Sequence, residues 1–407
     1  MRAPSSESYV AIACGGTGGH VFPGLAVAEV LAQRGVPVSL FVSPKEVDQQ
    51  AVRTVTGMAI LTLPAVALQR GHLVAFARGF WESFWQARKH FLQHRPGAVL
   101  AMGGFTSAPP ILAARLLGIP TFLHEANSIP GRANRWLAPF VNQIFVGFPK
   151  AVRRFRRADA RMTGTPVRSQ FRPRDAAACR LALGLNPHRP VLLIMGGSQG
   201  AHAVNELALR SLPILARLLP ELQFLHLTGV NQLELTRKAY ATNNLEAVVF
   251  PFLDEMETAL GAATVAISRA GASSLAEMAA MRLSAILIPY PSAADNHQYH
   301  NALAYVETGA ARMLYQPTAT PATLAQLVWE MVETSAARES IRAVLGRWVF
   351  PHAASQIADV MLTAMGRRQP VVPTLAPVPA APRIPETLPS PLVAPRDEEL
   401  KLKAIPP

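Results

Sequence analysis

Four short stretches of this chain carry residue types that bind anions and sugars or move protons. They are CGGTGGHVFPG (14–24), which contains His20, GGSQG (196–200), SRAGASSLAE (268–277), which ends at Glu277, and ADNHQYHNA (294–302). Backbone amides of glycine-rich turns bind phosphate oxygens, whereas imidazole, amide and carboxylate side chains bind hydroxyls or accept protons. The four stretches therefore predict a site for a ligand that carries both phosphates and sugar hydroxyls.

The first stretch lies between an apolar run and a helix-like segment, as a phosphate-binding turn does. It is not a typical dinucleotide site, because the following apolar run ends in FVSPKE, with Ser43 and no acid at its tip. It is not a P-loop either, because no Walker lysine follows the glycines. His20 suits proton transfer near neutral pH, and the alternative is a buried, hydrogen-bonded histidine.

The other three stretches point to a nucleotide and a sugar. The Ser198 hydroxyl and its neighbouring amides form a candidate phosphate cradle, unless the turn serves only tight packing. Glu277 lies about one turn into a helix that starts with small residues, and its carboxylate has the acceptors for two ribose hydroxyls. His297 and His300 have a metal-like spacing, but no Cys or carboxylate cluster accompanies them, so no metal is predicted.

The elements that must position these residues are alternating strands and helices. Apolar runs such as YVAIAC, VPVSLFV and AVLAM alternate with helical segments, including a predicted helix over 23–33, and the pattern restarts at PVLLIMGGSQG. The predicted fold class is α/β, with two Rossmann-like doubly wound domains facing across a cleft. We predict domains over 1–165 and 166–348, a helix over 349–365 that packs back on the first domain, and a disordered tail over 366–407 that holds 11 of the 35 prolines.

Composition limits the class of protein. Half of the 407 residues are apolar, and two cysteines argue against a disulfide framework and fit a reducing cytosol. The net charge of +13 is concentrated, since 132–174 holds eleven Lys and Arg against one acid, Asp159. Such a field attracts nucleic acid, phosphorylated substrates or an anionic membrane surface. In LVAFARGFWESFWQARKHF (73–91) aromatic and basic residues recur at helical spacing, which favours a membrane-facing helix over its alternative, a core helix.

Taken in order, these blocks resemble the MurG family of glycosyltransferases, glycosyltransferase family 28. The resemblance extends to GGFTSAP (103–109), HEANSIPGRANRWLA (124–138), GTPVR (164–168) and FLDEM (252–256), and covers most of the chain outside the tail. It implies a GT-B fold and an inverting transfer of N-acetylglucosamine (GlcNAc) from UDP-GlcNAc to the C4 hydroxyl of lipid I, the undecaprenyl-diphosphate-linked muramoyl-pentapeptide, which gives lipid II for peptidoglycan synthesis. The chain departs from the family pattern at Phe105, commonly Tyr, and Ala108, commonly Gly.

The resemblance also implies roles for individual residues. His20 and Glu125 would face the acceptor, with the identity of the general base left open between them. The acceptor diphosphate would lie on Gly15, Gly16, Gly103 and Gly104. The membrane would contact Phe80, Trp81, Phe84, Trp85, Arg88 and Lys89. The donor UDP-GlcNAc would be held by Thr17, Gly18, Gly19, Asn127, Arg168, Ser198, Gln199, Leu253, Ala272, Ser273, Ser274, Glu277, His297 and Gln298.

The implied protein needs no cofactor or metal and lies peripherally on the cytoplasmic face of the cell membrane, with cell-wall synthesis and division proteins as further partners. The enzyme alternatives are other UDP-sugar GT-B proteins, such as a diacylglycerol glycosyltransferase or a UDP-GlcNAc 2-epimerase. A non-catalytic nucleotide-sugar sensor would bind the donor without turnover. A nucleic-acid binder fits least, because it has no use for Glu277 in a phosphate-facing cleft.

Overall fold

Two parallel β-sheets lie on either side of a cleft. The computed structural model describes residues 8–53, 55–66, 73–155, 159–197 and 201–367. The first sheet consists of β1 (Val10–Ala13), β2 (Val38–Val42), β3 (Ala59–Thr62), β4 (Ala98–Ala101), β5 (Thr121–Glu125), β6 (Gln143–Val146) and β7 (Ala160–Met162). The second consists of β8 (Val191–Met195), β9 (Gln223–Leu227), β10 (Ala247–Phe250), β11 (Val265–Ser268), β12 (Ala285–Leu287) and β13 (Arg312–Met313).

Helices connect the strands and cover the sheets. In the first domain they are α1 (Gly18–Gln33), α2 (Glu46–Val52), α3 (Leu73–Gln93), α4 (Ala108–Leu116), α5 (Arg132–Leu137) and α6 (Pro149–Val152). In the second they are α7 (Ala176–Ala182), α8 (His202–Leu218), α9 (Leu233–Thr242), α10 (Met256–Ala262), α11 (Ala272–Ala280), α12 (His297–Glu307), α13 (Pro321–Glu333) and α14 (Ser335–Leu345). The last helix is α15 (Ala353–Ala364).

The strand order places the glycine turns. The first sheet runs β3-β2-β1-β4-β5-β6-β7 and the second β10-β9-β8-β11-β12-β13, and every neighbouring pair is parallel. The order reverses between β1 and β4 and again between β8 and β11, and such reversals open a ligand crevice at the carboxyl ends of the strands. The α/β class with two doubly wound sheets is therefore confirmed, and both crevices face the cleft.

The C-terminal helix returns to the first domain. Ile357, Met361 and Leu362 of α15 are buried in one apolar cluster with β1 and α1, and Arg34 forms an ion pair with Asp359. The chain therefore crosses between the domains twice. The predicted tail lies outside the described residues from 368 onward.

Some elements differ from the sequence expectation. The first helix begins at Gly18 rather than at Pro23, which puts Gly18, Gly19 and His20 in its first turn. Strands β3, β7 and β13 are absent from the sequence prediction because they are two to four residues long and lie at sheet edges, where no long apolar run is needed. Among the described residues, no helix has the length and apolar character to cross a membrane.

Candidate functional site

The cleft between the two domains has a volume of about 1080 Å³ and is lined from both sides. Most of the described residues predicted to bind donor or acceptor reach it. They are Thr17, Gly18, Gly19, His20, Gly104, Glu125, Asn127, Arg168, Leu253, Ala272, Ser273, Ser274, Glu277, His297 and Gln298. Ser198 and Gln199 lie outside the described residues. The structure thus brings together side chains that are up to 281 positions apart in the chain, from Thr17 to Gln298 (298 − 17).

His20 lies in the crevice between β1 and β4. Its Nδ1 is 3.1 Å from Thr17 Oγ1, and its ring packs on the turn after β4. That turn is made of Gly103 and Gly104, both with positive φ, and a Cβ on Gly104 would lie 3.0 Å from Cε1 and Nδ1 of the His20 ring. The glycines of GGF therefore make room for an imidazole, a reason for their presence that the sequence did not reveal.

Replacing Gly104 by alanine is expected to displace the His20 ring. Gly118→Ala is the matched control, since Gly118 also has positive φ (+64° against +80°) but nothing within 4 Å of its Cβ position. Both variants should lose about 1 kcal/mol of stability from backbone strain. Only Gly104→Ala should also lower turnover, by at least ~10-fold, because small misplacements of a reacting group are costly. Equal turnover in the two variants at equal Tm would contradict this role of Gly104.

The environment of His20 favours its neutral form. Burial lowers its pKa to about 4, against an opposing effect of Asp48, and His297 and Lys45 lower it further. A histidine that is neutral at pH 7 has a free lone pair and can accept a proton.

Asp48 organises the first glycine loop and was missed by the sequence analysis. It is fully buried on α2, and its Oδ2 accepts hydrogen bonds from the Gly16 amide (2.6 Å) and the Ser43 amide (3.1 Å). No acid follows directly at the tip of β2, where a dinucleotide site would have one. Asp48 lies six positions after Val42, and its side chain reaches back to the glycine loop. Only its place in the first turn of α2 could have indicated this role.

The acceptor-diphosphate role of the four glycines stays a prediction, and the amides of two of them already have partners within the protein. The amide of Gly16 already donates to Asp48, and the amide of Gly103 donates to Ser107 Oγ at 3.1 Å. Gly15 packs against β2, since a Cβ there would lie 2.4 Å from the Ser43 nitrogen, and it does not line the cleft. Of these four described glycines, Gly104 is the one that lines the cleft.

Glu125 lies at the end of β5 with both carboxylate oxygens occupied. Oε1 accepts from the amide and the side chain of Asn127, at 2.8 and 3.1 Å, and Oε2 accepts from the Gly131 amide and Asn134 Nδ2, both at 2.8 Å. Burial raises the pKa of Glu125, and these four donors oppose the rise. The carboxylate therefore ties together the loop between β5 and α5.

This loop also binds the second domain. The fully buried Asn301 of α12 donates to Asn127 Oδ1 at 3.0 Å and accepts from the Ser128 amide at 2.8 Å. Arg132 and Arg135 both pair with Asp295, at 3.0 and 2.6 Å. The Asn127 side chain, predicted to read the donor sugar, is thus engaged with Glu125 and Asn301 in this structure. Asn301 lies in the predicted stretch 294–302, but the sequence did not reveal its contact, because its partner Asn127 is 174 positions away.

A proline explains a further contact across the cleft. Pro23 lies inside α1 and lacks the amide that would bond to the carbonyl of Gly19, four residues earlier. That carbonyl instead accepts a hydrogen bond from Ser273 Oγ, at 3.0 Å, at the start of α11. The positive ends of α1 and α11 therefore meet in the cleft, and both favour an anion placed there.

Arg168 and Glu277 form the charged part of the donor side. The Arg168 guanidinium is stacked between Phe22 (4.6 Å) and Phe171 (5.2 Å), with a buried Nε that has no protein partner. Burial raises the pKa of Glu277 to about 7, Arg168 opposes this rise and Glu257 adds to it. A carboxylate with a pKa this far from normal, in a cleft, is typical of a functional site.

The remaining lining residues offer hydrogen bonds to a polar ligand. His297 Nδ1 donates to the Ala294 carbonyl at 2.8 Å, which leaves Nε2 as an acceptor, and Gln298 Oε1 accepts from the Tyr290 amide at 3.0 Å, which leaves its NH₂ group as a donor. Gln316 was not predicted, yet it lines the cleft with a buried Oε1 that has no protein partner. Among the described residues, no group of three or more His, Cys, Asp and Glu side chains is arranged to hold a metal ion.

Helix α3 presents a separate aromatic surface. Trp81 and Trp85 are 56% and 57% exposed, and Phe80 is partly buried. Phe84 is only 6% exposed and packs in the core, so its predicted membrane contact is wrong. One edge of the aromatic stripe faces inward because a helix that covers a sheet must bury one side.

Comparison with known protein families gives matches over both domains. The glycosyltransferase family 28 N-terminal domain matches residues 10–146, and the family 28 C-terminal domain matches residues 191–354. The chain is 35% identical over 370 residues to a protein of Anaeromyxobacter sp. (strain K), and the match covers 88% of this chain and 93% of the relative. That relative is described as UDP-N-acetylglucosamine–N-acetylmuramyl-(pentapeptide) pyrophosphoryl-undecaprenol N-acetylglucosamine transferase. An Acidithiobacillus ferrooxidans (strain ATCC 53993) protein of the same description is 41% identical over 310 residues, covering 75% and 84%.

Solved structures agree on the fold. The crystal structure of Acinetobacter baumannii MurG matches with a TM-score of 0.67 at 29% identity, covering 87% of this chain and 99% of that one. A putative UDP-N-acetylglucosamine 2-epimerase from Listeria monocytogenes also has a TM-score of 0.67, over 89% and 98% of the two chains, but at 11% identity this likeness shows the fold alone. The shared arrangement of two Rossmann-like domains is the GT-B fold.

Proposed function

The chain belongs to glycosyltransferase family 28, and from this premise we propose that its cleft transfers GlcNAc from UDP-GlcNAc to the C4 hydroxyl of the MurNAc sugar of lipid I, which forms lipid II for peptidoglycan synthesis. One observation supports placing the acceptor on the first domain and the donor on the second. The first turns of α1 and α11 meet through the bond between Ser273 and Gly19, with His20 on one side and Glu277 on the other. A transferable sugar between them would have a proton acceptor and a nucleotide pocket on opposite sides.

The donor lies on the second domain in this proposal. Glu277 accepts the two ribose hydroxyls, the Leu253 backbone reads the uracil, and the amides of 272–274 face the diphosphate. Arg168 adds a positive charge whose Nε is free for a phosphate oxygen. His297 and Gln298 bind the sugar hydroxyls. Asn127 contributes through its contact with Asn301, which links the sugar pocket to the first domain.

The reaction is a single displacement with inversion. The C4 oxygen of the acceptor forms a bond to the anomeric carbon while the bond from that carbon to the β-phosphate oxygen of UDP breaks. Negative charge builds on the leaving diphosphate, where the start of α11 and Arg168 stabilise it. Because these groups supply positive charge, the proposed mechanism requires no metal. The hydroxyl proton passes to the base.

We assign the base to His20 rather than to Glu125. His20 has a lowered pKa and is therefore neutral, with a lone pair to receive the proton. Glu125 accepts all four of its described hydrogen bonds from the loop between β5 and α5 and from Asn134 of α5, so its oxygens are committed to holding these two elements together. Glu125 is thus a positioning residue that holds Asn127 of the loop and Asn134 of α5.

The acceptor is lipid-linked, which gives the surface of α3 a role. We propose that Trp81 and Trp85 insert into the interface of the cytoplasmic leaflet, with Phe80 at the margin. Arg88 stacks on the Trp85 ring at 5.5 Å, and Lys89 is exposed beside it, so both cations are available to anionic headgroups. Because lipid II is consumed in wall assembly, cell-wall synthesis and division proteins belong to the same proposal as neighbours at the membrane.

Replacing Trp81 and Trp85 together by serine is expected to reduce binding to vesicles that contain phosphatidylglycerol by at least ~10-fold, because two interfacial aromatic anchors are lost. UDP-GlcNAc affinity, measured by calorimetry, should remain unchanged. Trp329→Ser is the control, since Trp329 is 38% exposed on α13 of the other domain. Vesicle binding equal to that of the unaltered protein would remove α3 from the membrane contact.

The function as a whole is tested by UDP release from UDP-GlcNAc in the presence and absence of a lipid I analogue. We expect release that depends on the acceptor, together with a disaccharide product. Epimerisation of the donor without acceptor, or donor binding without turnover, would contradict the proposal and favour an epimerase or a nucleotide-sugar sensor.

A further inference from the structure

A second cavity, of about 480 Å³, lies in the second domain and shares no lining residue with the cleft. Its lining contains no Asp, Glu or His. Five arginines from separate parts of the chain reach it, namely Arg174, Arg180, Arg282, Arg338 and Arg342. We refer to it as the arginine cavity.

Three of these arginines form no ion pair within 4.0 Å among the described residues. Arg180 donates to the carbonyls of Ala262 and Pro187, both at 2.9 Å, and to Thr264 Oγ1 at 3.1 Å. Arg338 donates to two carbonyls at the end of α13, and Arg282 donates to the Arg342 carbonyl at 3.3 Å. Burial lowers the pKa of both Arg180 and Arg338, and for Arg338 the neighbouring Arg342 lowers it further while Glu339 and Glu333 oppose the change. Carbonyl partners thus fix the guanidinium groups in place without neutralising them.

Each of the other two arginines pairs with one acid among the described residues. Arg174 is 3.7 Å from Glu257, and Arg342 is 2.8 Å from Glu339, and neither acid lines the cavity. The charge inside the cavity is therefore positive. A guanidinium group in a partly dehydrated site is stabilised by an anion that it can bind through two parallel N–H bonds.

The backbone around the cavity is held in an unusual conformation. Arg282 has a φ of +56°, which is uncommon for a residue with a side chain. Its guanidinium lies over Gly346, where a Cβ would be 2.7 Å from the Arg282 nitrogen. This φ ends helix α11, since the Leu283 amide donates to the Met278 carbonyl at 2.9 Å and the Arg282 amide to the Ala279 carbonyl at 3.0 Å, and it turns the Arg282 side chain toward the cavity wall.

We propose that the arginine cavity binds a small anion that carries a phosphate or diphosphate group. The volume lies within the range of about 300–1000 Å³ typical of small-molecule sites. Apolar residues (Leu260, Met281 and Leu283) form part of the wall, so the ligand has room for an organic portion beside its phosphate. The proposal does not depend on the function proposed for the cleft.

The arginine cavity lies beside both chain segments that connect the two domains, so a bound ligand would contact both segments. Pro173 and Arg174 belong to the segment that leads from β7 into α7. Arg338 and Arg342 lie on α14, just before the chain returns to the first domain as α15. A bound anion would therefore link the outgoing and the returning chain segments.

Calorimetric titration with inorganic pyrophosphate, in the presence of saturating UDP to occupy the cleft, tests the proposal. We expect saturable binding that is weakened at least ~10-fold in the double variant Arg174→Gln/Arg342→Gln, since two charge-assisted contacts are lost. The control is Arg210→Gln/Arg217→Gln, which makes the same charge change on the surface of α8. The control should bind pyrophosphate as the unaltered protein does.

Two results would overturn the proposal: no saturable binding with UDP present, or equal pyrophosphate affinity in the double variant and its control. If the double variant has a lowered Tm, Arg342→Glu alone serves instead, because the Arg342 side chain pairs with Glu339 of its own helix and not with another element. Binding of the double variant to vesicles that contain phosphatidylglycerol shows whether the phosphate belongs to a lipid headgroup or to a free small molecule. Weaker vesicle binding by the double variant indicates a lipid headgroup, and unchanged vesicle binding indicates a free small molecule.

Discussion

Replacing His20 by alanine is expected to lower kcat by about 10²–10⁴-fold, the usual contribution of a positioned general base. The affinity for UDP-GlcNAc should change by less than ~2-fold, because the nucleotide contacts come from the second domain and the interaction lost is one made in the transition state. His188→Ala, an exposed histidine outside the cleft, is the control. Steady-state turnover with a lipid I analogue and calorimetry with UDP-GlcNAc measure the two quantities.

The pH dependence distinguishes a base from a structural histidine. Burial lowers the pKa of His20 to about 4, so the base is in its active, neutral form throughout the physiological range. The kcat of the unaltered enzyme, measured at saturating donor so that the ionisation of Glu277 does not enter, should therefore stay level on its acid side and fall only as the pH approaches about 4, provided that the protein remains folded there. A His20→Ala variant with nearly full turnover, or with the same acid limb, would transfer the role of base to another group.

Replacing Glu277 by alanine is expected to raise the KM for UDP-GlcNAc by about 10²-fold. Two hydroxyl hydrogen bonds to a charged acceptor are lost, each contributing on the order of 1.5–3 kcal/mol before water replaces part of it. The kcat at saturating donor should fall far less, because Glu277 contacts the ribose in both the ground state and the transition state. Glu206→Gln, an exposed acid on α8, is the control. An unchanged KM in the Glu277 variant would contradict the placement of the nucleotide.

The raised pKa of Glu277 adds a test that does not require turnover. Its pKa is about 7 in the folded protein, above that of an ordinary glutamate, so the folded state binds more protons between these two values. Stability therefore decreases as the pH rises through this window, and donor affinity increases as the carboxylate ionises. Glu277→Gln should raise the Tm of the ligand-free protein at about pH 8 but have little effect near pH 4.5, while weakening UDP binding most at the higher pH. A Tm that rises equally at both pH values would contradict the burial of this charge.

The central strands and the Glu277 helix could be predicted because their signals are local. A strand such as β1 or β8, buried on both faces, must be a continuous apolar run, and a helix that starts with small residues exposes its amides. Edge strands such as β3 need no such run, and three of its four residues are exposed. The start of α1 was misplaced because Pro23 is common at the beginning of a helix, whereas here the helix continues through it.

By itself, the sequence determined the family, the two doubly wound sheets and most of the residues that line the cleft. Only the tertiary structure decided which of them are free to act. Asp48 occupies the Gly16 amide, Asn301 engages Asn127, and the missing amide of Pro23 leaves the Gly19 carbonyl to Ser273. The physical reason is that a glycine, an amide or a carboxylate has the same local signature whether its hydrogen bonds go to a ligand or to the protein. The strand order brings residues from distant parts of the chain next to each such group. These neighbours decide whether its hydrogen bonds go to the protein or remain available to a ligand.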